Sequence, residues 1–250
     1  MICELVKKQR LSETIYDFTV RCPEMAAKAK PGQFLHILCG GDAYLRRPIS
    51  ICDVIGGRDI RFIFETRGKG TENLAKYKIG EKLDILGPLG NGFTIYPEDT
   101  DAILLIGGGI GIFPLLNLAK QCKGKATVLL GFRNKDAVLL ADEFRAVSKN
   151  VFIATDDGSC GYHGFVTDVM QNITASNAVS RIYTCGPTPM MQKIAEMAAS
   201  KNIPCQVSLE ERMGCGVGAC VTCTCKVNGA NKRVCKDGPV FDGREVEWNG

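Results

Sequence analysis

Five cysteines crowd into one short stretch near the end of the chain. It reads Cys215-Gly-Val-Gly-Ala-Cys220-Val-Thr-Cys223-Thr-Cys225, with Cys235 ten residues on. Residues 210–250 are too few to own a hydrophobic core, and small units of this kind need a metal or disulfide staple. Thirteen cysteines is an odd total. The opening Met-Ile-Cys-Glu-Leu-Val-Lys-Lys lacks the basic-then-apolar layout of a secretory leader. These features together predict reduced thiols, a cytoplasmic location and a metal-binding cluster.

The spacing C-x4-C-x2-C followed by a distant cysteine is that of a plant-type [2Fe–2S] centre. Gly214, Gly216, Gly218 and Ala219 permit tight backbone angles and let amide N–H groups approach sulfur. Zinc is the alternative, but it usually takes two C-x2-C pairs, or one such pair with H-x3–5-H. Only Cys220 and Cys223 form such a pair, and His36 and His163 are far away in sequence. Cys225 sits at the start of an expected hairpin, turning at Asn228-Gly229, and is read as a bystander.

Residues 1–98 read as β structure. Short apolar runs recur at Ile2–Val6, Ile15–Val20, Phe34–Leu38, Ile49–Cys52, Ile60–Phe64 and Leu83–Leu86, between Gly, Pro and Asp punctuation. They predict a small antiparallel barrel or sandwich. Thr71–Lys78 is the only helix expected there. Pro97–Asp101 is a polar joint and the first boundary.

Residues 99–209 change character. Strand-like runs (Ala102–Ile106, Ala126–Phe132, Val151–Ala154, Arg181–Cys185, Gln206–Leu209) alternate with helical stretches (Pro114–Gln121, Leu140–Ser148, Val166–Met170, Pro189–Lys201). That order predicts a parallel α/β sheet. Ala102–Ala119 is uncharged over eighteen residues. Its glycines, Pro114 and Asn117 fit a strand, turn and helix start better than a membrane span.

Two loops in this region suit a dinucleotide. Gly107, Gly108, Gly109 and Gly111 precede Pro114, although the run is not a clean G-x-G-x-x-G. Glycines let backbone reach a pyrophosphate at a helix N-terminus. A plain strand–helix turn is the alternative. Cys185, Gly186 and Pro187 repeat the layout after a later strand. Asp157 could accept a ribose 2′-hydroxyl, favouring NAD over NADP, or could be a solvated turn acid.

In the β region, Leu45-Arg46-Arg47-Pro48-Ile49-Ser50 and Gly68-Lys69-Gly70-Thr71 stand out. Arginine pairs with phosphate, though lone arginines are more often surface charges. Taken with the glycine loops and the cysteines, these segments resemble the ferredoxin–NADP reductase superfamily, and Gly87–Phe93 resembles its post-barrel turn. Within it, the whole chain resembles the electron transfer subunits of type B dihydroorotate dehydrogenase. The resemblance implies three domains: an FAD-binding barrel (1–98), an NAD-binding α/β domain (99–209) and a small C-terminal [2Fe–2S] domain (210–250). It implies FAD on Arg47, Pro48, Ile49, Ser50, Ile63, Phe64, Glu65, Gly70 and Thr71, and cluster ligands Cys215, Cys220, Cys223 and Cys235. Pro48 replaces an aromatic residue common in the wider superfamily, which suits the narrower subfamily.

The resemblance also implies a partner, an FMN-containing dihydroorotate dehydrogenase catalytic subunit, in a heterotetramer of two plus two. Electrons would run from FMN through the cluster and FAD to NAD⁺, in pyrimidine biosynthesis. No residue looks like a dihydroorotate base, and no catalytic residue is assigned. The alternatives are the small subunit of another NAD(P)H-dependent flavin and iron–sulfur oxidoreductase, of ferredoxin or sulfide type, and a zinc-stapled binding module. A net charge of +4, from 31 basic and 27 acidic residues, is too small to predict nucleic-acid binding. Lys7-Lys8-Gln9-Arg10 is expected to be solvated surface.

Overall fold

The computed structural model describes residues 1–96 and 103–248. The expected joint at 97–101 and the first residue of the run starting at Ala102 lie outside them. The chain divides into two compact units. The first comprises 1–92, 210–225 and 231–239; the second comprises 93–209, 226–230 and 240–250.

The first unit holds a closed antiparallel barrel of six strands: β1 (Ile2–Arg10), β2 (Ile15–Arg21), β3 (Phe34–Ile37), β4 (Arg47–Ile55), β5 (Asp59–Glu65) and β6 (Lys82–Leu89). Their order around the barrel is β1-β2-β5-β4-β3-β6. The strands run longer than most of the apolar runs, because hydrogen-bonded pairing extends past the residues that face the core. A short helix α1 (Pro23–Ala26) is an addition to the expected elements, and helix α2 (Lys69–Lys76) starts two residues before the expected one. Alternating side chains close a core of Leu5, Phe18, Leu35, Ile37, Ile51, Ile60, Phe62, Leu83 and Ile85, all fully buried. Phe18 meets Phe64 edge-on at 5.1 Å, a geometry worth ~0.5–1.5 kcal/mol beyond area burial.

Two charges in the barrel are structural. Arg61 pairs with the buried Asp17 at 2.9 Å; removing one partner of such a pair costs about 3–5 kcal/mol. The basic cluster is not all solvated surface. Lys8 Nζ donates to the carbonyls of Ala75 (2.7 Å) and Tyr77 (2.8 Å), tying β1 to the C-terminal end of α2, where a cation complements the helix dipole.

The second unit is a seven-stranded sheet: β7 (Ile103–Gly108), β8 (Ala126–Phe132), β9 (Asn150–Thr155), β10 (Tyr162–His163), β11 (Arg181–Cys185), β12 (Cys205–Ser208) and β15 (Val240–Asp242). Its order is β10-β9-β8-β7-β11-β12-β15. Every pair is parallel except β12 with β15. All six residues of β7 are buried, the signature of a strand covered on both faces. Helices α3 (Phe113–Gln121), α4 (Ala141–Val147), α5 (Val166–Ser176) and α6 (Thr188–Ser200) follow the expected stretches, with α5 six residues longer. Between β12 and β15, β13 (Thr224–Val227) and β14 (Ala230–Arg233) form a ribbon. It turns at Asn228 and Gly229, both with positive φ (52° and 73°), as an Asn-Gly hairpin requires.

This division differs from a three-way one at 98 and 209. Most of 210–239 groups with the barrel, and β15 completes the sheet. A short strand with few apolar residues carries little local signal, and its place is set by β12.

Candidate functional site

The cluster loop is ordered by hydrogen bonds from main-chain amides to sulfur. The amides of Val217 (3.4 Å), Ala219 (3.2 Å) and Cys220 (3.4 Å) donate to Cys215 Sγ. That of Cys215 donates to Cys220 Sγ (3.4 Å), that of Gly218 to Cys235 Sγ (3.1 Å) and that of Cys235 to Cys223 Sγ (3.4 Å). The Thr222 hydroxyl adds a donor to Cys220 Sγ at 3.2 Å. This bond is the largest cause that brings the Cys220 thiol down to about 6, with amide donors following. The amide of Val217 leads those that lower Cys215. Burial and the neighbouring Cys223 push Cys235 up to about 12.

The amide hydrogen bonds to sulfur link the cysteines in two pairs, Cys215 with Cys220 and Cys223 with Cys235. Among the described residues, no three His, Cys, Asp or Glu side chains gather as a set for one metal ion. Two thiol pairs wrapped in N–H donors fit a two-iron centre held by four cysteines. Cys225 takes no part in these bonds, and burial pushes its thiol up to about 11. Arg233, which carries no motif in the sequence, props the loop by donating to the Gly218 carbonyl (3.1 Å) while paired with Asp237.

On the barrel, the first residues of β4 pair with β3: Ile37 with Arg47, His36 with Pro48, Leu35 with Ile49 and Phe34 with Ser50. Arg47 reaches the start of α2, since a Cβ on Gly70 would stand 2.8 Å from its Nε. Thr71 Oγ1 closes that turn, accepting from the Arg67 amide (2.9 Å) and donating to the Gly68 carbonyl (3.1 Å). A guanidinium beside a helix N-terminus suits a diphosphate. Thus Arg47, Gly70 and Thr71 come together. Of the β5 residues, Phe64 turns into the core against Tyr16 and Phe18, and its main chain pairs with Tyr16 of β2. Glu65 is paired with Arg67.

In the sheet, β7 and β11 are neighbours, with Gly107 level with Cys185. Chain order reverses at this point, with β8 on one side and β11 on the other. Open α/β sheets bind ligands in such a crevice. The two loops are in close contact: a Cβ on Gly111 would lie 2.5 Å from the Cys185 carbonyl oxygen and 2.6 Å from Gly186 Cα, and one on Gly108 would lie 3.0 Å from Pro187. The starts of α3 and α6 follow these loops. Asp157 follows β9, two strands from β7, and is exposed. It accepts from the Ser159 amide (2.9 Å) and hydroxyl (2.6 Å), and the hydroxyl is the first cause that lowers its carboxyl.

A flavin-type barrel, a sheet with paired nucleotide loops and a cysteine loop define a reductase of the ferredoxin–NADP reductase fold. A ferredoxin NADP⁺ reductase from Neisseria gonorrhoeae shares that fold alone, at TM-score 0.66 and 15% identity over 80% of this chain and 90% of that one. A solved NADH-dependent reduced ferredoxin-NADP oxidoreductase, studied for flavin-based electron bifurcation, is more similar. Its TM-score is 0.90 at 34% identity, covering 100% of this chain and 91% of that chain. Residues 105–196 match the oxidoreductase NAD-binding domain and residues 210–247 the iron–sulfur cluster binding domain of dihydroorotate dehydrogenase B. The dihydroorotate dehydrogenase B (NAD(+)) electron transfer subunit of Caldanaerobacter subterraneus subsp. tengcongensis is 39% identical, over 98% of both chains. That of Geobacillus kaustophilus is 44% identical, over 96% of both. The chain belongs to this family of electron transfer subunits.

Proposed function

We propose that the chain carries electrons from an FMN-containing dihydroorotate dehydrogenase catalytic subunit to NAD⁺, through a [2Fe–2S] cluster and FAD, in UMP biosynthesis. The observation that carries this reading is the cluster loop, with its two thiol pairs and its sheath of N–H donors. When bound, FAD exchanges hydride with NAD and single electrons with the cluster, which joins two-electron to one-electron chemistry. Cys215, Cys220, Cys223 and Cys235 hold the cluster. Arg47 and the start of α2 hold the FAD diphosphate, and Pro48, Ile49, Ser50 and the backbone of Ile63–Glu65 orient its ring. Gly107–Gly111 and Cys185–Pro187 receive NAD, with Asp157 toward its ribose. The partnership is a cytoplasmic heterotetramer of two plus two. Among the described residues no helix is long and apolar enough to cross a membrane.

A second reading, the small subunit of an NAD(P)H–ferredoxin-type oxidoreductase, draws on the TM-score of 0.90 noted above. The higher identities to the dihydroorotate dehydrogenase subunits favour the first. The test is to load the isolated chain with FAD, iron and sulfide and assay two reactions. NADH-dependent dye reduction is expected from the chain alone, and dihydroorotate oxidation only once the FMN subunit is added. Dihydroorotate oxidation by the chain alone overturns the division of labour; no gain on adding that subunit favours the second reading.

A further inference from the structure

His36 is the least explained polar side chain of the first unit. It is 1% exposed within the apolar run Phe34–Ile37. Among the described residues, neither ring nitrogen has a partner at ordinary hydrogen-bond geometry. Leaving such an atom unmet is costly, and a leucine would fill the space without that cost.

The ring's neighbours give it a role. Its partner across the strands is Pro48, on the segment assigned to flavin, so the two side chains share a face. On the other side lies the first turn of the cluster loop. A Cβ on Gly216 would stand 2.4 Å from His36 Nδ1, and Gly216 has φ +73°, so glycine is required there twice over. The main chains of Arg46 and Cys215 both lie within reach of the ring. The imidazole is wedged between the start of β4 and the turn that follows the first cluster cysteine. Val217 and Ala219, whose amides point at Cys215 Sγ, continue from that turn.

We propose that His36 is a positioning residue: its ring, packed against Gly216 and within reach of the Cys215 and Arg46 main chains, holds the Cys215–Gly216 turn beside the flavin strand, and so sets the aim of the amides on Cys215 and the reduction potential of the cluster. This rests on the iron–sulfur and flavin reading above. Amide hydrogen bonds to sulfur are among the levers that set such potentials.

The test compares His36→Asn, which keeps a donor and an acceptor close to the backbone, with His36→Leu. Both are made in the full chain loaded with FAD, iron and sulfide. Iron content, the electron paramagnetic resonance of the reduced cluster and its redox titration are measured. Leu is expected to alter the resonance, and to lose iron or shift the cluster's one-electron equilibrium about tenfold, ~59 mV. Asn is expected to stay near the unaltered chain. Leu behaving as the unaltered chain overturns the proposal, as do Asn and Leu deviating alike, since polarity is then irrelevant. An unaltered chain that binds no iron overturns the cluster reading and this proposal with it.

Discussion

The cluster loop and the turn after β7 are both glycine-rich, yet their glycines do different work. In the cluster loop, Gly216 and Gly218 take positive φ (73° and 82°), and the chain curls so that amides face sulfur. In the β7 turn, Gly111 has no such angle; it is small because the Cys185–Gly186 backbone lies where a side chain would go. One loop curls around its own thiols; in the other Gly109 also turns with φ 55°, but Gly111 answers to a neighbouring strand. Glycine content alone does not separate the two, whereas the atoms facing each glycine do.

The largest test of this contrast is at the thiols. Serine at Cys223 or Cys235 is expected to abolish or strongly perturb the cluster's visible absorption and paramagnetic signal, because a thiolate ligand is lost. Serine at Cys225 is expected to leave both in place. Bleaching by Cys225→Ser, with Cys223→Ser intact, would show that the wrong pair has been assigned.

Next in size is Gly111→Ala. Backbone atoms must move to admit the methyl, and such overpacking costs about 1–3 kcal/mol. Denaturant unfolding should show the loss, and NADH-dependent dye reduction should fall with it. The cluster's resonance should not change. A changed resonance would mean that the two loops are not independent.

Asp157→Ala probes the same sheet more gently. Losing a charged acceptor for the ribose should lower the kcat/KM ratio of NADH to NADPH severalfold. An unchanged ratio leaves Asp157 as a turn acid bonded to Ser159.

The smallest effect expected is in the barrel. Arg46 donates to Asp84 at 2.7 Å, and this bond is the first cause that holds the Asp84 carboxyl below its ordinary 3.8. The folded value lies below the unfolded one, so the pair stabilises above pH ~3.8 and the contribution is lost as pH falls through the lowered value. The Asp84 side chain is 36% exposed, so solvent screening limits Asp84→Asn to about 1 kcal/mol or less. Unfolding midpoints from pH 7 to pH 3 should converge for the two proteins at the acid end.

Much of this molecule is legible in one dimension because its signals are local. The cysteine spacing, the Asn228-Gly229 hairpin, the buried run of β7 and the alternation of strands with helices each depend on residues close in sequence. Their periods and turn angles follow from backbone geometry alone. Lys8, His36, Thr222 and Arg233 carry no functional signal in the sequence, because each acts on atoms far along the chain or through a hydroxyl without a motif. A polar residue inside Phe34–Ile37 was the one available hint of His36. Only the folded chain decided that the cysteines pair as Cys215 with Cys220 and Cys223 with Cys235, that Arg47 lies over Gly70, that Val240–Asp242 joins β12, and that His36 abuts Gly216. Such contacts are set by which surfaces close over one another, and nothing in the residues nearby in sequence records that choice.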